Sequence, residues 1–536
     1  MTAEAVTHER RSALDMPAEE FRFLGHALIE QIADFYDSLP RRAVTRATPP
    51  ERLHALIGTG ELAEQGMDAG DLLADVVPLI FDHSLHNGHP RFLGYITSSA
   101  APLGALADLL AAAVNANGAK WDLSPMASVI ESQTIRWIAD LTGYPRDCAG
   151  LMVSGGTMAN FLAFVAARKA MAPWDVRRSG NYGNRPLLTV YVSKETHTWI
   201  EKAADVCGLG TEAVRWIGTD RQGRMCVGLL RERLETDLAE GCIPFFVVGT
   251  AGNVSTGAVD PLRDLAALCK QYGVWFHVDG AYGAAAAVVP EAPDDLHALA
   301  LADSVAIDPH KWLYCPIEAA CVLTKRKDAL RAAFEYRPDY YLFDENRQSD
   351  VNYYQQGMQN TRAFRALKVW LALRRAGRAG YRESIRGDIR LAEALFALLA
   401  EHPEFETNSV NLSVVTFRYV PHRIVRKDAE AEAYLDALNR SLLAELQSGG
   451  ELFLSNAVVD GRYLLRACIV NFRTRRQDIE AIPSIVAEVG RRLDETCSEA
   501  NIEENDHDQE NYDSCGAADG RDVPERDVIR RRRHSK

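Results

Sequence analysis

The sequence contains no apolar run long enough to cross a membrane. Its longest apolar runs, such as residues 284–290, fall far short of the roughly 20 residues that a spanning helix needs. Residues 1–9 also lack a basic stretch followed by an apolar one, so we expect no secretion signal. These absences predict a cytoplasmic protein with no membrane partner.

Cysteine usage and net charge exclude further classes of protein. The ten cysteines form no CxxC pair and no cluster with histidine, so neither a disulfide framework nor a metal site is expected. A formal net charge of −14 lacks the basic excess that a general nucleic-acid binder needs. With 536 residues, of which 47% are hydrophobic and 25% charged, the chain is typical of a globular protein with two or three packed units.

The spacing of apolar residues predicts an α/β protein. Apolar positions recur every three or four residues over about residues 18–38, which predicts an amphipathic helix. Further along, short apolar β-rich runs alternate with helical stretches, and such buried strands indicate a mostly parallel central sheet with helices on both faces. The predicted strands are residues 187–192, 243–248, 274–278, 305–307 and 319–323.

The pattern changes near residue 381, where a long helix over residues 385–401 and the separate strands and helix that follow predict a smaller α+β domain. The last segment is rich in acidic residues and poor in apolar ones, so we predict that it is disordered. The predicted units are an N-terminal helical dimerisation segment over residues 1–88, a large α/β domain over 89–384, a small C-terminal α+β domain over 385–493 and a tail over 494–536.

Two residues at predicted strand ends suggest the chemistry. Ligands of parallel sheets bind at the carboxyl ends of the strands, and Asp279 and Lys311 follow two of them. A lysine there, with its pKa depressed by partial desolvation, can form a Schiff base. An aspartate can hold a pyridinium nitrogen. These are the two groups that pyridoxal 5'-phosphate (PLP) requires from a protein.

Three further positions fit the same cofactor. Residues 153–160 place Gly156 and Thr157 where a helix begins, and the backbone N–H groups there bind anions such as a phosphate. A tight N-cap turn is the alternative interpretation. His197 follows a strand and fits a ring stacked on a pyridine, although a surface histidine is the alternative. Thr250 lies at another strand end.

Taken together, these motifs resemble the group II PLP-dependent decarboxylases. That family includes the aromatic-L-amino-acid, glutamate, histidine and cysteine-sulfinate decarboxylases, and the resemblance covers about residues 18–490. It implies PLP fold type I and a homodimer with the active site at the subunit interface. The N-terminal helices would then pack across that interface. The motifs that carry the resemblance are Ser-Gly-Gly-Thr at 154–157, Thr-His at 196–197, Thr250, His-Val-Asp-Gly-Ala-Tyr at 277–282 and Asp-Pro-His-Lys-Trp at 308–312.

The resemblance implies a role for each residue of the cofactor site. Lys311 would bind PLP covalently, and Asp279 would keep the pyridine nitrogen protonated. His197 would stack on one face of the ring and Ala281 would pack against the other. The remaining cofactor-binding residues would be Gly156, Thr157, Thr250, Asp308 and His310.

The sequence departs from animal aromatic decarboxylases at two positions. Asp308 replaces an asparagine and Gly280 replaces an alanine, as in the bacterial branch of the family. Arg362 resembles a family arginine near the active site, with a surface helix arginine as the alternative.

Residues 335–353 resemble the mobile catalytic loop of the family. A tyrosine on that loop would donate a proton to the carbon that loses CO2. We choose Tyr341, and Tyr340 remains the alternative. Family members that release aldehydes often lack this tyrosine, so its presence favours simple decarboxylation.

The expected substrate is a small-molecule amino acid with an aromatic side chain. The family's side-chain pocket is lined by the segment that matches residues 89–97, and we assign Tyr95, Ile96, Thr97 and Trp121 to it. An acidic side chain would need a dedicated cation, for which Arg91 is available but resembles a structural residue. Transamination, oxidative deamination, a non-aromatic substrate and a non-catalytic scaffold remain the alternatives.

Overall fold

The computed structural model describes residues 12–336, 351–426 and 428–513. Several helices begin and end as their sequences dictate. Asp68 caps one by accepting bonds from the backbone amides of Gly70 and Asp71, and Gly143 ends another in the left-handed conformation. The helices are α1 Ala18–Ser38, α2 Pro50–Ile57, α3 Ala69–His83, α4 Pro102–Val114, α5 Pro125–Thr142, α6 Gly156–Met171, α7 Val176–Ser179, α8 Trp199–Val206, α9 Val227–Ala239, α10 Leu262–Tyr272, α11 Ala329–Phe334, α12 Ala366–Glu401, α13 Ala429–Gly449 and α14 Arg476–Asp513.

Two sheets organise the chain. The first has seven strands in the order β1-β7-β6-β5-β4-β2-β3, and the second has four in the order β10-β11-β9-β8. The strands are β1 Ala149–Val153, β2 Leu188–Ser193, β3 Val214–Ile217, β4 Ile243–Thr250, β5 Trp275–Asp279, β6 Ser304–Ile307, β7 Ala320–Thr324, β8 Phe405–Asn411, β9 Val414–Tyr419, β10 Ser455–Val459 and β11 Arg462–Cys468.

The large sheet confirms the predicted mostly parallel α/β architecture. Strands β3, β2, β4, β5 and β6 pair in parallel, whereas β7 runs antiparallel to both β6 and β1. Because β4, β5 and β6 are parallel and adjacent, their carboxyl ends meet at one edge. Thr250 lies opposite Asp279 there, and Asp279 lies opposite Ala306.

The second sheet has its own apolar core. Its residues come from β9, β11, α13, α14 and the later part of α12, and they include Phe417, Leu442 and Leu465. Helix α12 joins the two cores. It begins at Ala366, well before the predicted residue 385, and has a non-helical residue at Gly377 with a φ of 63°. The predicted boundary at residue 385 therefore falls inside this helix.

The ends of the chain hold the other helices. Helix α1 has the predicted bounds, and none of its residues is buried. Helix α14 extends to Asp513, so the predicted start of the disordered tail, at residue 494, falls within a helix. In the part of the chain that the structure describes, no helix is both long and apolar enough to cross a membrane.

Candidate active site

A cavity of about 410 Å³ opens at the carboxyl ends of β4, β5 and β6. It brings together most of the residues that the sequence assigned to one site. Its lining includes every predicted cofactor residue, namely Gly156, Thr157, His197, Thr250, Asp279, Ala281, Asp308, His310 and Lys311.

Lys311 lies in the loop after β6, beside a carboxylate. Its Nζ is 3.1 Å from Oδ2 of Asp308. Burial lowers the pKa of Lys311, but the carboxylates of Asp308 and Asp279 more than offset this effect, so the pKa lies above its usual value. The expected depressed pKa is therefore wrong, because the sequence could not show that Asp308 faces the amine.

Asp279 is buried at the end of β5 and accepts three hydrogen bonds. The indole Nε1 of Trp199 donates to its Oδ2 at 2.8 Å, and Nδ2 of Asn160 donates to the same oxygen at 3.0 Å. The backbone amide of Ala281 donates to Oδ1 at 3.2 Å. These three donors hold both oxygens of the carboxylate in place.

The start of α6 forms the other end of the cavity. The first amides of a helix have no partner within it, and no side chain caps this helix at Gly155. A Cβ on Gly156 would lie 2.7 Å from Oδ2 of Asp308, so only glycine fits there without displacing that carboxylate. These amides, with the hydroxyls of Ser154 and Thr157, can hold a phosphate.

Two buried polar atoms in the cavity have no hydrogen-bond partner among the described residues. They are Oγ1 of Thr250 and Oδ1 of Asp308. Buried polar atoms without a partner are costly, so each indicates a place for a polar group of a ligand. Together with a lysine amine, a carboxylate and a helix start, they fit PLP.

The two cavity histidines are held in their neutral forms. Burial lowers the pKa of His197, and Lys311 lowers it further against the opposing charge of Asp279. Burial likewise lowers the pKa of His310. The Nδ1 of His310 donates to the carbonyl of Ala319 at 2.7 Å, which fixes the ring. The imidazole ring of His197 is flat and lines the cavity, so it can stack on a pyridine ring.

The predicted substrate residues are only partly brought together. Ile96 lines the cavity, but among the described residues Tyr95, Thr97 and Trp121 are not part of its lining. Tyr95 has a φ of 52° and its side chain is 53% exposed. Tyr340 and Tyr341 lie outside the described residues.

Two arginines that the sequence singled out have carboxylate partners away from the cavity. Arg362 is buried, so the surface alternative is wrong. Its Nη2 lies 2.6 Å from Oε1 of Glu131, and its Nη1 donates to the carbonyl of Gly118. Arg91 pairs with Glu451 at 2.9 Å. Arg362 thus has structural partners.

The sequence did not reveal three polar residues at or near the site. Asn160 and Trp199 donate to Asp279. Asn160 is the last residue of the motif at 153–160, one turn after Gly156, and Trp199 lies two residues after His197. Arg466, on β11, is buried and donates to the carbonyl of Val254, whose residue lines the cavity. No carboxylate of the described chain pairs with Arg466, and its side chain is not part of the cavity lining. No sequence signal marked it.

The fold and cavity together define an enzyme that holds PLP. Comparison with known proteins leads to the family. Residues 50–420 match the pyridoxal-dependent decarboxylase conserved domain. An aromatic-L-amino-acid decarboxylase of Bacillus atrophaeus is 33% identical, covering 87% of this chain and 94% of its own length. A phenylacetaldehyde synthase of a Rosa hybrid cultivar is 31% identical, covering 87% of this chain and 92% of its own length.

Solved structures agree with the family. The structure of Oryza sativa TDC with PLP and tryptamine has a TM-score of 0.82 and 25% sequence identity, covering 90% of this chain and 100% of that one. The chain belongs to the pyridoxal-dependent decarboxylase family. It is a PLP-dependent amino acid decarboxylase.

Proposed function

We propose that the chain decarboxylates an aromatic L-amino acid, such as Trp, Phe, Tyr or Dopa, to the amine and CO2. The observation that carries this proposal is the composition of the cavity lining. Ile96, Met158 and Val254 give it an apolar wall. Among the described lining residues, Lys311 is the only side chain with a full positive charge. Arg466 is not part of the lining and donates to the carbonyl of Val254, so an acidic substrate side chain would have no dedicated cation in the cavity. The similarity to the bacterial aromatic decarboxylase supports the same substrate class.

Within this reaction, each cavity residue receives a role. PLP, when bound, supplies a ring that takes up the electron pair left behind as CO2 departs. Lys311 holds the cofactor through its amine, and Asp279 holds a proton at the ring nitrogen. The start of α6, at Gly156 and Thr157, holds the phosphate. His197 and Ala281 enclose the ring.

A tyrosine then returns a proton to the carbon that lost CO2. We assign this step to Tyr341, with Tyr340 as the alternative. A matched pair of variants separates them, since Tyr341→Phe and Tyr340→Phe each remove one hydroxyl and nothing else. The variant that loses amine formation while still binding PLP identifies the donor.

Aldehyde formation is a second candidate, because the Rosa relative is a phenylacetaldehyde synthase. Such a reaction consumes O2 and water and releases the aldehyde, CO2, ammonia and hydrogen peroxide in place of the amine and CO2. The predicted tyrosine on residues 335–353 favours the amine. Measurement of dissolved oxygen during turnover distinguishes the two outcomes.

We also propose that the enzyme is a cytoplasmic homodimer. Helix α1 buries none of its residues in the single chain, and its side chains Phe21 and Phe23 are 59% and 73% exposed. Exposed apolar surface of this kind marks an interface. Light scattering should give twice the mass of one chain, and Phe21→Asp with Phe23→Asp should reduce it. A monomer in the unaltered protein would contradict the proposal.

The test of the substrate is a panel of the twenty amino acids and Dopa, with product identification. Purified holoenzyme should release CO2 and the matching amine from aromatic substrates, and Lys311→Ala, the matched control, should release neither. Turnover of acidic or basic amino acids without aromatic ones would overturn the substrate assignment. Stoichiometric keto acid would overturn the decarboxylation itself.

A further inference from the structure

We propose that Asn160, His277 and Ser304 form a relay of positioning residues that orients Asp279 toward the ring nitrogen of the cofactor. The inference rests on the role proposed above for Asp279. It does not depend on which amino acid is the substrate.

The relay is a continuous chain of four hydrogen bonds. At its far end, Nε1 of Trp275 donates to Oγ of Ser304 at 2.8 Å. Ser304 Oγ lies 2.8 Å from Nδ1 of His277. The Nε2 of His277 lies 2.7 Å from Oδ1 of Asn160. Finally, Nδ2 of Asn160 donates to Oδ2 of Asp279 at 3.0 Å.

The Asp279 end of this chain sets the hydrogens. A carboxylate only accepts, so the amide N–H of Asn160 donates to Asp279 and its Oδ1 faces Nε2 of His277. The amide oxygen also only accepts, so the imidazole hydrogen lies on Nε2 and Nδ1 is left as an acceptor. The hydroxyl of Ser304 then donates to Nδ1, while its oxygen accepts from Trp275.

Burial protects this arrangement from exchange with water. His277 and Ser304 are 0% exposed and Asn160 is 1% exposed. Burial also lowers the pKa of His277 to about 4, which keeps the ring neutral and its two nitrogens distinct. The ring is held in place by Phe246, stacked at 5.3 Å between centroids.

The sheet and one helix bring the relay together. His277 and Ser304 are register partners on β5 and β6, and Asn160 lies on α6. Helix α6 is also the helix whose first residue, Gly156, lies at the proposed phosphate end. One element therefore connects the two ends of the proposed cofactor site, so a shift of α6 alters both.

A pair of variants at His277 tests the role of the relay. His277→Leu removes the donor to Asn160, whereas His277→Gln keeps an amide N–H near the position of Nε2. We expect His277→Leu to lower the affinity for PLP by roughly tenfold to a hundredfold, as the loss of a residue that orients a metal ligand does for metal affinity. His277→Gln should recover most of that loss. The pH titration of the bound-cofactor absorption should shift in His277→Leu.

A cofactor analogue separates positioning from structural damage. In 1-deaza-PLP a carbon replaces the ring nitrogen, so Asp279 has nothing to hold. The unaltered protein and His277→Leu should therefore bind this analogue with equal affinity. If His277→Leu loses affinity equally for PLP and for the analogue, its role is merely structural and the relay is overturned. The relay is also overturned if His277→Leu loses affinity for neither. Because His277→Leu alters the core, Ser304→Ala, whose smaller change removes only the hydroxyl, decides the matter if the first variant fails to fold.

Asp279→Asn is the reference variant. It should lower PLP affinity and shift the same titration without affecting the analogue. If Asp279→Asn has no such effect, the assignment of Asp279 fails. If Asp279→Asn lowers PLP affinity while the relay variants bind PLP normally, only the relay fails.

Discussion

The carboxylate of Asp308 lies 3.1 Å from the amine of Lys311, three residues later in the same loop. This contact and the charge of Asp279 raise the pKa of Lys311 despite the burial that lowers it. Asp308 is also the position where the sequence departs from animal aromatic decarboxylases. The departure therefore bears directly on how readily the amine loses its proton.

Asp308→Asn should lower the pKa of Lys311, because it removes the closest negative charge. At a fixed pH below that pKa, a larger fraction of the amine is then unprotonated, and PLP should bind covalently up to about tenfold faster for each pKa unit lost. The rate of absorbance change on mixing apoenzyme with PLP, followed from pH 6 to 9, checks this. An unchanged pH–rate profile would contradict the assigned role of Asp308.

The start of α6 offers two adjacent glycines with opposite expectations. A Cβ on Gly156 would lie 2.7 Å from Oδ2 of Asp308, whereas a Cβ on Gly155 would meet nothing within 4 Å. Such overpacking costs about 1–3 kcal/mol, so Gly156→Ala should weaken PLP binding by roughly tenfold or more. Gly155→Ala is the matched control. Equal dissociation constants for the two variants would contradict the close contact.

The buried ion pair between Arg362 and Glu131 predicts a loss of stability. Arg362→Met leaves Glu131 as an uncompensated buried charge, which costs about 3–5 kcal/mol. The urea midpoint of unfolding should fall in Arg362→Met, and the double variant with Glu131→Gln should recover part of this loss. A fall in kcat at unchanged stability would instead place Arg362 in catalysis.

Asp388 should make stability depend on pH. It is buried on α12, where Trp312 and Tyr314 both donate to its Oδ2, and burial raises its pKa from 3.8 to about 7. Below about pH 4 this carboxyl is neutral in both the folded and the unfolded chain, so its contribution to the free energy of unfolding is fully present. As the pH rises to 7, the carboxyl ionises first in the unfolded chain, and the contribution, at most roughly 4 kcal/mol, is lost.

Asp388→Asn keeps an acceptor for both donors but cannot ionise. Its melting temperature should therefore rise relative to that of the unaltered enzyme between pH 5 and pH 8. A constant difference between the two proteins across this range would contradict the raised pKa.

The sequence predicted those parts of the fold that depend on local pattern. Helix α1 and strands β2, β4, β5, β6 and β7 follow from periodicity, and Asp279 and Lys311 from their position after two of these strands. The antiparallel direction of β7 was not predicted, because pairing between strands leaves little trace in a single strand. The early start of α12 was missed because Gly377 interrupts its helical pattern.

The site residues divide in the same way, into those that a local motif reveals and those that only the packing of distant segments brings in. Motif residues with a distinctive type, such as Gly156 and His197, were found and lie in one cavity. Asn160 was quoted as part of a motif but given no role, since its bond to Asp279 depends on how α6 packs against β5. Arg466 comes from a distant strand and meets the site only through the packing of the second sheet.

Borohydride reduction of the holoenzyme tests the central claim most directly. It fixes PLP to the amine that binds it, and mass spectrometry of the peptides then locates the label. We predict a phosphopyridoxyl group on Lys311, with loss of the visible absorption band and of the label in Lys311→Ala. A label on another lysine, or a band that survives in Lys311→Ala, would contradict the assignment of this active site.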